Sequence, residues 1–279
     1  MKSKIKELEG KANAIRKLIV KMLAEAGSGH PGGSLSSTEI ITCLYFDVMR
    51  HNPKEPGWPD RDKFHLSKGH CCPAVYAALS LCGYFPQEEL MKLRKLGSML
   101  QGHPDRRTPG IEVASGSLGQ GLSVSLGMAL ANRIDKKDSR IYCLMGDGEI
   151  QEGNVWEAAM AAAHYKVDNL CGIVDYNRFQ IDGKTEEIMN LEPIVNKWEA
   201  FGWHVIQCDG HSIEELLSAF EHAKSIKQKP TVIIAHTIKG KGVSFMEGVV
   251  DFHGRAPSEQ ERQIALQELQ DLDLEEGAA

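Results

Sequence analysis

An aspartate between two glycines is the pattern in this chain that most clearly indicates chemistry. Gly146-Asp147-Gly148 follows the apolar run 141–145, and Asn177 follows the next apolar run. If these runs are neighbouring strands, the carboxylate and the amide oxygen can bind one hard cation, because Mg²⁺ and Ca²⁺ take oxygen ligands and often add phosphate oxygens and water. Glycine beside the aspartate lets backbone approach a phosphate closely. The pattern predicts a metal-bound diphosphate, although Asp-Gly is also ordinary turn chemistry.

Three histidines stand where a side chain can face a cleft. His30, His70 and His103 each follow a glycine in a loop or at a helix start. Histidine suits proton transfer because its unperturbed pKa is about 6.5. We therefore regard these three as candidates for acid–base chemistry. Other histidines, in or beside predicted helices, strands or a proline loop, are expected to be structural or surface groups: His51, His65, His164, His204, His211 and His222.

The elements that position these residues alternate between strand and helix. Apolar strands are predicted near residues 140–145, 170–175, 203–207 and 231–235. Such alternation is typical of an α/β fold with a doubly wound, mostly parallel sheet and helices on both faces. Ligands of such sheets bind beyond the carboxyl ends of the strands. Asp147, Asn177 and the pair His236-Thr237 all follow predicted strands.

Helix signals describe much of the rest of the chain. Apolar residues at three- and four-residue steps predict a long amphipathic helix from Ile5 to Ala26, ended by the glycine- and proline-rich stretch 27–33. A second helix is expected at a capping box formed by Ser36 and Glu39. Further predicted elements are a short strand at 64–66, helices at 72–81 and 154–165, and helices that begin with capping boxes at Ser212 and Ser258.

Composition limits the class of protein. The chain has 279 residues, is 42% hydrophobic and 25% charged, and carries a formal net charge of −6, which argues against a nucleic-acid partner. No run reaches the ~18 apolar residues of a membrane span, and the charged amino terminus lacks a signal-peptide core. The seven cysteines include no Cys-x-x-Cys and are expected to be reduced, buried thiols. We predict a cytoplasmic protein with one domain at 1–257, then a helix and a fraying acidic tail at 258–279.

Several motifs, taken in order, make this chain resemble a known enzyme family. They are the histidine segments 28–33, 66–70 and 101–104, the turn 115–121, the Gly-Asp-Gly site, the segment 236–246 and the pair 253–254. In this order and spacing the chain resembles the amino-terminal, diphosphate-binding (PP) domain of transketolase, a thiamine-diphosphate enzyme. The resemblance runs from the first helix to about Pro257. Many members carry an Asn and later a Trp before the last histidine, where this chain has Gly248 and Phe252, so a slightly different loop is expected there.

The resemblance implies cofactors and a role for each candidate residue. Asp147, the Asn177 side chain and the main-chain carbonyl of Phe179 would hold Mg²⁺, with Ca²⁺ and Mn²⁺ as alternatives. Thiamine diphosphate would be bound by His70, Gly116, Ser117, Leu118, Gly146, Asp147, Gly148, Glu149, Asn177 and His253. His30, His70, His103 and His253 would surround the reacting carbons. Because the coenzyme acts as the electron sink, the protein mainly orients it and manages protons.

The resemblance also implies a partner. In the family, the glutamate that activates the coenzyme and most arginines that bind the sugar phosphate lie beyond the part that this chain matches. We therefore expect a split enzyme in which this chain joins a separately encoded carboxy-terminal subunit, with pyrimidine-binding and carboxy-terminal domains, in a heterotetramer. The expected reaction transfers a two-carbon ketol unit from a ketose phosphate to an aldose phosphate. The isolated chain would be inactive and would expose a large apolar surface.

Other functions stay open at this point. They are another thiamine-diphosphate reaction such as deoxyxylulose-phosphate synthesis, a split transketolase for an unusual sugar, and a catalytically silent scaffold. The segment 66–70 favours transketolase over the synthase but does not separate one sugar from another. A scaffold would not need both metal ligands and four histidines. A nicotinamide-binding domain is disfavoured because no Gly-x-Gly-x-x-Gly follows the first strand.

Overall fold

A parallel sheet of five strands forms the centre of the molecule. The computed structural model describes the backbone of residues 2–278 and the side chains of residues 2–270. In chain order the strands are β1 (Lys63–Leu66), β2 (Ile141–Gly146), β3 (Leu170–Tyr176), β4 (Phe179–Gln180), β5 (Gly183–Lys184), β6 (His204–Asp209) and β7 (Thr231–His236). The sheet order is β1-β2-β3-β7-β6, and β4 and β5 form a separate antiparallel pair. All the predicted strands are therefore found.

The α-helices of the described residues pack around this sheet. They are α1 (Lys2–Ala26), α2 (Pro31–Ser36), α3 (Thr38–Cys43), α4 (Cys72–Cys82), α5 (Gln120–Ile134), α6 (Gly153–His164), α7 (Thr185–Ile188), α8 (Ile194–Ala200), α9 (Ile213–Ser225) and α10 (Glu259–Ala278). The long first helix and the helices predicted at 72–81 and 154–165 are confirmed. Helix α5 was not predicted.

Two apolar cores lie on opposite faces of the sheet. Successive strand residues point to opposite faces, so Tyr142 and Leu144 of β2 face α1, α3, α4 and α9, whereas Cys143 and Met145 face α5, α6 and α8. Every side chain of β3 is buried, as expected when helices cover a parallel sheet on both sides. The predicted doubly wound α/β fold is confirmed.

The predicted capping box at Ser36 and Glu39 is wrong. Helix α2 already begins at Pro31, because proline is well tolerated at the first helical position, and the loop before it shrinks to residues 27–30. Ser36 is the last residue of α2, and its hydroxyl donates to Asp175 Oδ2 at 2.6 Å. The end of the glycine-rich stretch therefore begins a short buried helix that reaches the carboxyl end of the central strand β3.

The capping signals at the other two helices mark true helix starts. The Ser212 hydroxyl accepts from the amide of the third helical residue of α9. At α10, Ser258 and Glu261 bond reciprocally at 2.7 and 3.3 Å. Ala265 and Leu269 of α10 are buried in the core that α1 also enters. The division at residue 258 stays a prediction, and the side chains of the acidic tail lie outside the described residues.

All seven cysteines are free thiols, and six of them are buried. Burial raises the pKa of the Cys71 thiol to about 11, which is typical of an unreactive structural cysteine. The prediction of reduced, buried thiols is confirmed for the strand cysteines Cys143, Cys171 and Cys208, whereas Cys82 is only half-buried. Within the described residues, none of the helices combines the length and the apolarity that crossing a membrane requires.

Candidate active site

A cavity of about 390 Å³ lies at the carboxyl end of the parallel sheet. Three neighbouring strands deliver residues to it, because Lys68 follows β1, Asp147 follows β2 and Asn177 follows β3. The predicted site residues that line it are His30, His70, His103, Gly116, Leu118, Gly146, Asp147, Gly148, Glu149, Asn177, Phe179 and His253. Ser117 does not line it and instead faces an adjacent small cavity.

A tight turn after β3 faces the carboxylate after β2. Asp147 is 2% exposed, and its carboxylate accepts from the Gly148 amide at 2.8 Å and from the Arg178 amide. Arg178 has a φ of +66°, a strained value for a residue with a side chain. Asn177 Oδ1 accepts from the Phe179 amide at 3.0 Å. The strained turn therefore places both predicted side-chain metal ligands at the floor of the cavity.

Asp147 is a buried carboxylate that forms no ion pair with any lysine or arginine side chain of the described residues. Burial and the like charge of Asp175 raise the pKa of the Asp147 carboxyl to about 7. A buried carboxylate in this state gains stability from an added cation. The site thus has the electrostatic character of a cation site.

Beneath this turn lies a buried ion pair between Lys68 and Asp175. The Lys68 ammonium also donates to the Gly33 carbonyl at 3.1 Å. Asp175 accepts further hydrogen bonds from the Ser36 and Thr237 hydroxyls and, at 3.1 Å, from Asn177 Nδ2. Burial opposes the charge on Asp175, but Lys68 and these donors bring its pKa below the ordinary value. The bond to Asn177 also fixes which way that amide points.

Lys239 is a second buried lysine, and it has no carboxylate partner among the described residues. Its side chain is 2% exposed, and its ammonium donates to His253 Nδ1 at 2.8 Å. Burial lowers the Lys239 pKa to about 8. Gly32 allows its approach, since a Cβ there would lie 3.0 Å from Lys239 Cγ. This lysine therefore offers a positive charge to the cavity.

Glu149 lines the cavity, but protein donors already satisfy its carboxylate. One oxygen accepts from the Ser67 hydroxyl and from the Gly119 amide at 3.0 Å, and the other accepts from the Gly146 amide at 3.0 Å. Burial raises the pKa of Glu149. In the structure this side chain ties the end of β2 to the loop before α5, so any contact with a coenzyme stays a prediction.

The four candidate histidines form one cluster at the other end of the cavity. The His30 ring centroid lies 5.1 Å from that of His70, 5.7 Å from that of His253 and 6.4 Å from that of His103. His70 and His253 stack at 5.3 Å. The rings come from four separate segments, so the cluster exists only in the folded chain.

The histidine cluster is held in the neutral form. Burial lowers the pKa of His30 to about 4, and the positive charge of Arg94 acts in the same direction. Burial and then Lys239 lower the pKa of His253 to about 3. Burial also lowers the pKa values of His70 and His103. Neutral imidazoles can accept protons, and several of them can bond the hydroxyls of a polyol.

Sequence reasoning missed the charged groups that support the site. Lys68, Asp175 and Lys239 all lie in segments already singled out, yet none was given a role. A lysine among apolar or glycine residues directly after a strand was the available signal. Nothing in the sequence indicated four other lining residues, Gln151, Glu152, Gln180 and Ile181.

Comparison with known proteins agrees with this geometry. Residues 8–271 match the family described as transketolase, thiamine diphosphate binding domain. The chain is 50% identical to the 6-deoxy-6-sulfo-D-fructose transketolase subunit SqwG of Clostridium sp. (strain MSTE9), over 95% of this chain and 96% of that protein. It is 45% identical to one of the subunits of an apulose-4-phosphate transketolase from Phocaeicola vulgatus, over 95% of this chain and 94% of that protein.

Solved structures show the same fold within a longer polypeptide. The transketolase of Campylobacter jejuni superposes with a TM-score of 0.90 at 37% identity, over 94% of this chain. The chain spans only 42% of the length of that transketolase. The fold, the family match and the full-length similarity to transketolase subunits agree, and the chain belongs to the transketolase family as its thiamine-diphosphate-binding domain.

Proposed function

We propose that this chain is the amino-terminal subunit of a two-chain transketolase. In this proposal it transfers a two-carbon ketol unit from a ketose phosphate to an aldose phosphate, and only together with a separate carboxy-terminal subunit in the cytoplasm. The observation that carries the proposal is one cavity with two different ends. At one end lies the buried Asp147 carboxylate, with which no described lysine or arginine side chain forms an ion pair, and at the other lie four neutral histidines. A diphosphate coenzyme that reacts with sugars needs both ends.

The donor set after β2 and β3 suits a divalent cation that prefers oxygen. It offers the Asp147 carboxylate, the Asn177 amide oxygen and the Phe179 carbonyl, and a bound diphosphate and water would complete the shell. Within residues 2–270, no three His, Cys, Asp or Glu side chains are arranged to hold one metal ion. We therefore assign Mg²⁺, with Ca²⁺ or Mn²⁺ as substitutes, to Asp147, Asn177 and Phe179.

The diphosphate would lie between this cation and Lys239. The Lys239 ammonium has no acidic partner among the described residues, so an anion in the cavity would give it one. Gly148 lies beside Asp147 with no side chain to keep a phosphate away. When bound, thiamine diphosphate supplies the electron sink that carbon–carbon bond cleavage between C2 and C3 of a ketose requires.

The histidine cluster would manage the protons of this reaction. Cleavage of the C2–C3 bond removes a proton from the C3 hydroxyl, and the reverse step returns it. Neutral His30, His70 and His103 can accept such a proton or bond the neighbouring hydroxyls. His253 accepts from Lys239 through Nδ1, so its Nε2 carries the proton and can donate to a sugar oxygen.

A partner subunit is supported by the relatives and by the surface beside the cavity. Two relatives covered over 94–96% of their length are named as transketolase subunits. Leu118 and Ile181 line the cavity yet are 40% and 64% exposed, and Ile188 and Met189 are exposed large apolar residues as well. Apolar groups at the mouth of a cavity suit a covering protein surface. The partner would cover this mouth.

A transketolase for an unusual sugar is the second candidate. It is favoured by the names of the relatives at 50% and 45% identity, which act on 6-deoxy-6-sulfo-D-fructose and apulose 4-phosphate. Both candidates use the same cavity residues. They differ only in the donor sugar.

Reconstitution tests the proposal. The chain is combined with the carboxy-terminal subunit encoded in the same genome and assayed with ribose 5-phosphate as acceptor. Xylulose 5-phosphate, 6-deoxy-6-sulfofructose and apulose 4-phosphate serve as alternative donors. We expect turnover of one donor by the mixture and none by either chain alone. Turnover by the single chain, or no ketol transfer from any donor by the mixture, would contradict the proposal.

Calorimetry of the same mixture tests the metal-bound diphosphate. We expect removal of the divalent cation with EDTA to abolish thiamine-diphosphate binding, and Asp147→Ala to weaken it by more than about 100-fold, because a direct metal ligand should exceed the effect of an outer-shell residue. Asp135→Ala, at an exposed aspartate after α5, is the matched control. Binding that is indifferent to both chelator and Asp147→Ala would rule out this coenzyme site.

A further inference from the structure

The segment 237–242, which carries Lys239 into the cavity, is fixed from several sides. Hydrogen bonds join it to other parts of the chain: Thr237 Oγ1 donates to Asp175, the Ile238 amide donates to His211 Nε2 at 2.8 Å, and the Gly240 amide donates to the Gly32 carbonyl at 2.9 Å. The Lys239 carbonyl itself accepts from the Gly248 amide at 2.9 Å, the Lys241 carbonyl accepts from Arg16 Nε at 3.1 Å, and the Gly242 amide donates to Glu247 at 2.9 Å. The residue directly before Lys239 is thus held by an imidazole.

His211 bridges this segment to a buried carboxylate. Its Nε2 accepts from the Ile238 amide at 2.8 Å, so that nitrogen carries no proton. Its Nδ1 lies 2.9 Å from Glu39 Oε2 and therefore donates to it. These two bonds define one neutral tautomer and one ring orientation. His211, which the sequence indicated to be a structural or surface group, thus lies between α3 and the segment that carries Lys239.

The carboxylate behind His211 is itself fixed. Glu39 is buried on α3 and forms an ion pair with Arg16 of α1. Burial opposes its charge, but Arg16 and His211 together bring the Glu39 pKa below the ordinary value. Arg16 also bonds the carbonyl of Lys241. The segment is therefore held on both sides of Lys239. Glu39 of α3 acts on residue 238 through His211, and Arg16 of α1 bonds residue 241 directly.

We propose that His211 is a positioning residue for the diphosphate site. By holding the Ile238 amide, it aims the Lys239 ammonium into the cavity, where that ammonium binds the coenzyme's diphosphate. This inference rests on the proposed coenzyme function. The two hydrogen-bond partners described for the His211 ring, Glu39 and the Ile238 amide, do not line the cavity, so its effect on Lys239 travels through one backbone hydrogen bond to the preceding residue.

The geometry explains why a small displacement of the segment matters. Lys239 Cγ lies close to Gly32, where an added Cβ would be only 3.0 Å away, and its ammonium reaches His253 at 2.8 Å. The side chain is buried and has little room to re-aim. A shift of the backbone at Ile238 therefore moves the ammonium itself, and charge-assisted bonds weaken with poor geometry.

Two substitutions at His211 separate this role from a general structural one. His211→Gln can place a carbonyl oxygen near the former Nε2 and keep the acceptor for Ile238, but it loses the bond to Glu39. His211→Asn can donate to Glu39 from near the former Nδ1, but it cannot reach Ile238. Each variant loses one of the two hydrogen bonds, so similar losses in thermal midpoint are expected. His222→Asn, at an exposed histidine on α9, is the control.

Thiamine-diphosphate affinity is then measured by calorimetry with Mg²⁺ on the reconstituted enzyme. Lys239→Met is expected to raise Kd about 10- to 100-fold. His211→Asn should raise it about fivefold, and His211→Gln should leave it near the parent value. In the double variant, His211→Asn should add nothing to Lys239→Met, because it acts through that lysine. Additive effects, or equal Kd values for the Asn and Gln variants, would overturn the inference.

The same measurements keep this inference separate from the proposed function. If Lys239→Met leaves coenzyme binding unchanged, the diphosphate assignment itself is wrong. The bridge has its own readout, since ¹⁵N spectra of the imidazole should show an unprotonated Nε2 and a protonated Nδ1 at His211 near neutral pH. A protonated Nε2 there would remove the bond on which the positioning role depends.

Discussion

The two ends of the cavity are built in opposite ways. At the diphosphate end, Asp175 accepts hydrogen bonds from Lys68 and from four further donors, and Asp147 accepts from two backbone amides. At the histidine end, the ring centroids lie 5.1–6.4 Å apart, and among the described residues His30 Nδ1 is buried without a hydrogen-bond partner. One end is hydrogen-bonded before any ligand arrives, whereas the other leaves a buried ring nitrogen unsatisfied.

This difference follows from what each end must do. A diphosphate and its cation are recognised by fixed charges and dipoles, and a site that is already oriented needs little rearrangement on binding. Groups that exchange protons with a substrate must keep a ring nitrogen free of protein partners. The Lys68–Asp175 pair of the first end should therefore stabilise the fold, whereas the histidine cluster should cost folding free energy in return for activity.

Removing a histidine should reduce turnover strongly and stability hardly at all. His103 is exposed at the rim of the cluster, with its ring against Gly116. We expect His103→Asn to lower kcat of the reconstituted enzyme by about 10²- to 10⁴-fold, the range for a lost acid–base group. The urea midpoint of the chain should stay within about 0.5 kcal/mol of the parent, as for surface substitutions.

His164→Asn is the control for that measurement, since His164 is an exposed histidine at the end of α6. It should change neither kcat nor the urea midpoint. If His103→Asn instead lowered stability and left kcat intact, the two ends would not differ in the way described.

At the diphosphate end, in contrast, a substitution should lower the free energy of unfolding strongly. Lys68→Met leaves Asp175 buried without its cation, and breaking a buried pair in this way costs about 3–5 kcal/mol of unfolding free energy. Four donors still bond Asp175, so the lower value is expected. Urea unfolding measures the loss. The double variant Lys68→Met with Asp175→Asn should recover part of it, because no unpaired charge remains.

A surface pair provides the comparison. Lys92 and Glu89 form an exposed i,i+3 ion pair, and Lys92→Met should cost less than about 0.5 kcal/mol. Equal losses at Lys68 and Lys92 would mean that the buried pair does not contribute to folding as proposed.

The sequence predicted the parts of the site that local patterns mark. Asp147 and Asn177 follow apolar strands, and His30, His70 and His103 each follow a glycine, so these residues could be named before the fold was known. His253 was named from the family resemblance alone. The five-stranded sheet was predictable for the same reason, since buried parallel strands are continuous apolar runs.

The parts that could not be predicted depend on contacts between distant segments. Lys68 pairs with Asp175 only because β1, β2 and β3 are neighbours in the sheet. Ser36 and Glu39 have the spacing of a capping box, but in the folded chain the Ser36 hydroxyl donates to the buried Asp175 instead. His211 was classed as a structural or surface group because its position beside α9 says nothing of Glu39 on α3. Helix α5 was missed because its start is rich in glycine and serine, which favour loops.

The smallest expected effect is the response of the histidine end to acid. Its folded-state pKa values, about 4 for His30 and about 3 for His253, lie below the ordinary value of 6.5. Below pH 6.5 these histidines therefore bind protons in the unfolded chain but not in the native chain. The free energy of unfolding has its full value above pH 6.5 and falls as the pH drops towards 4 and 3. Because both rings are partly exposed, each should cost only about 1 kcal/mol at pH 5.

Urea unfolding of the chain at pH 7.5 and pH 5.0 measures this loss. The double variant His30→Gln with His253→Gln should lose about 2 kcal/mol less than the parent between the two values, since glutamine does not titrate. A variant with His164→Gln and His222→Gln, both exposed histidines, should follow the parent. If all three proteins lost stability equally, folding would not lower the pKa values of the cluster histidines. The contrast between a satisfied and an unsatisfied end of the cavity would then rest on hydrogen bonding alone.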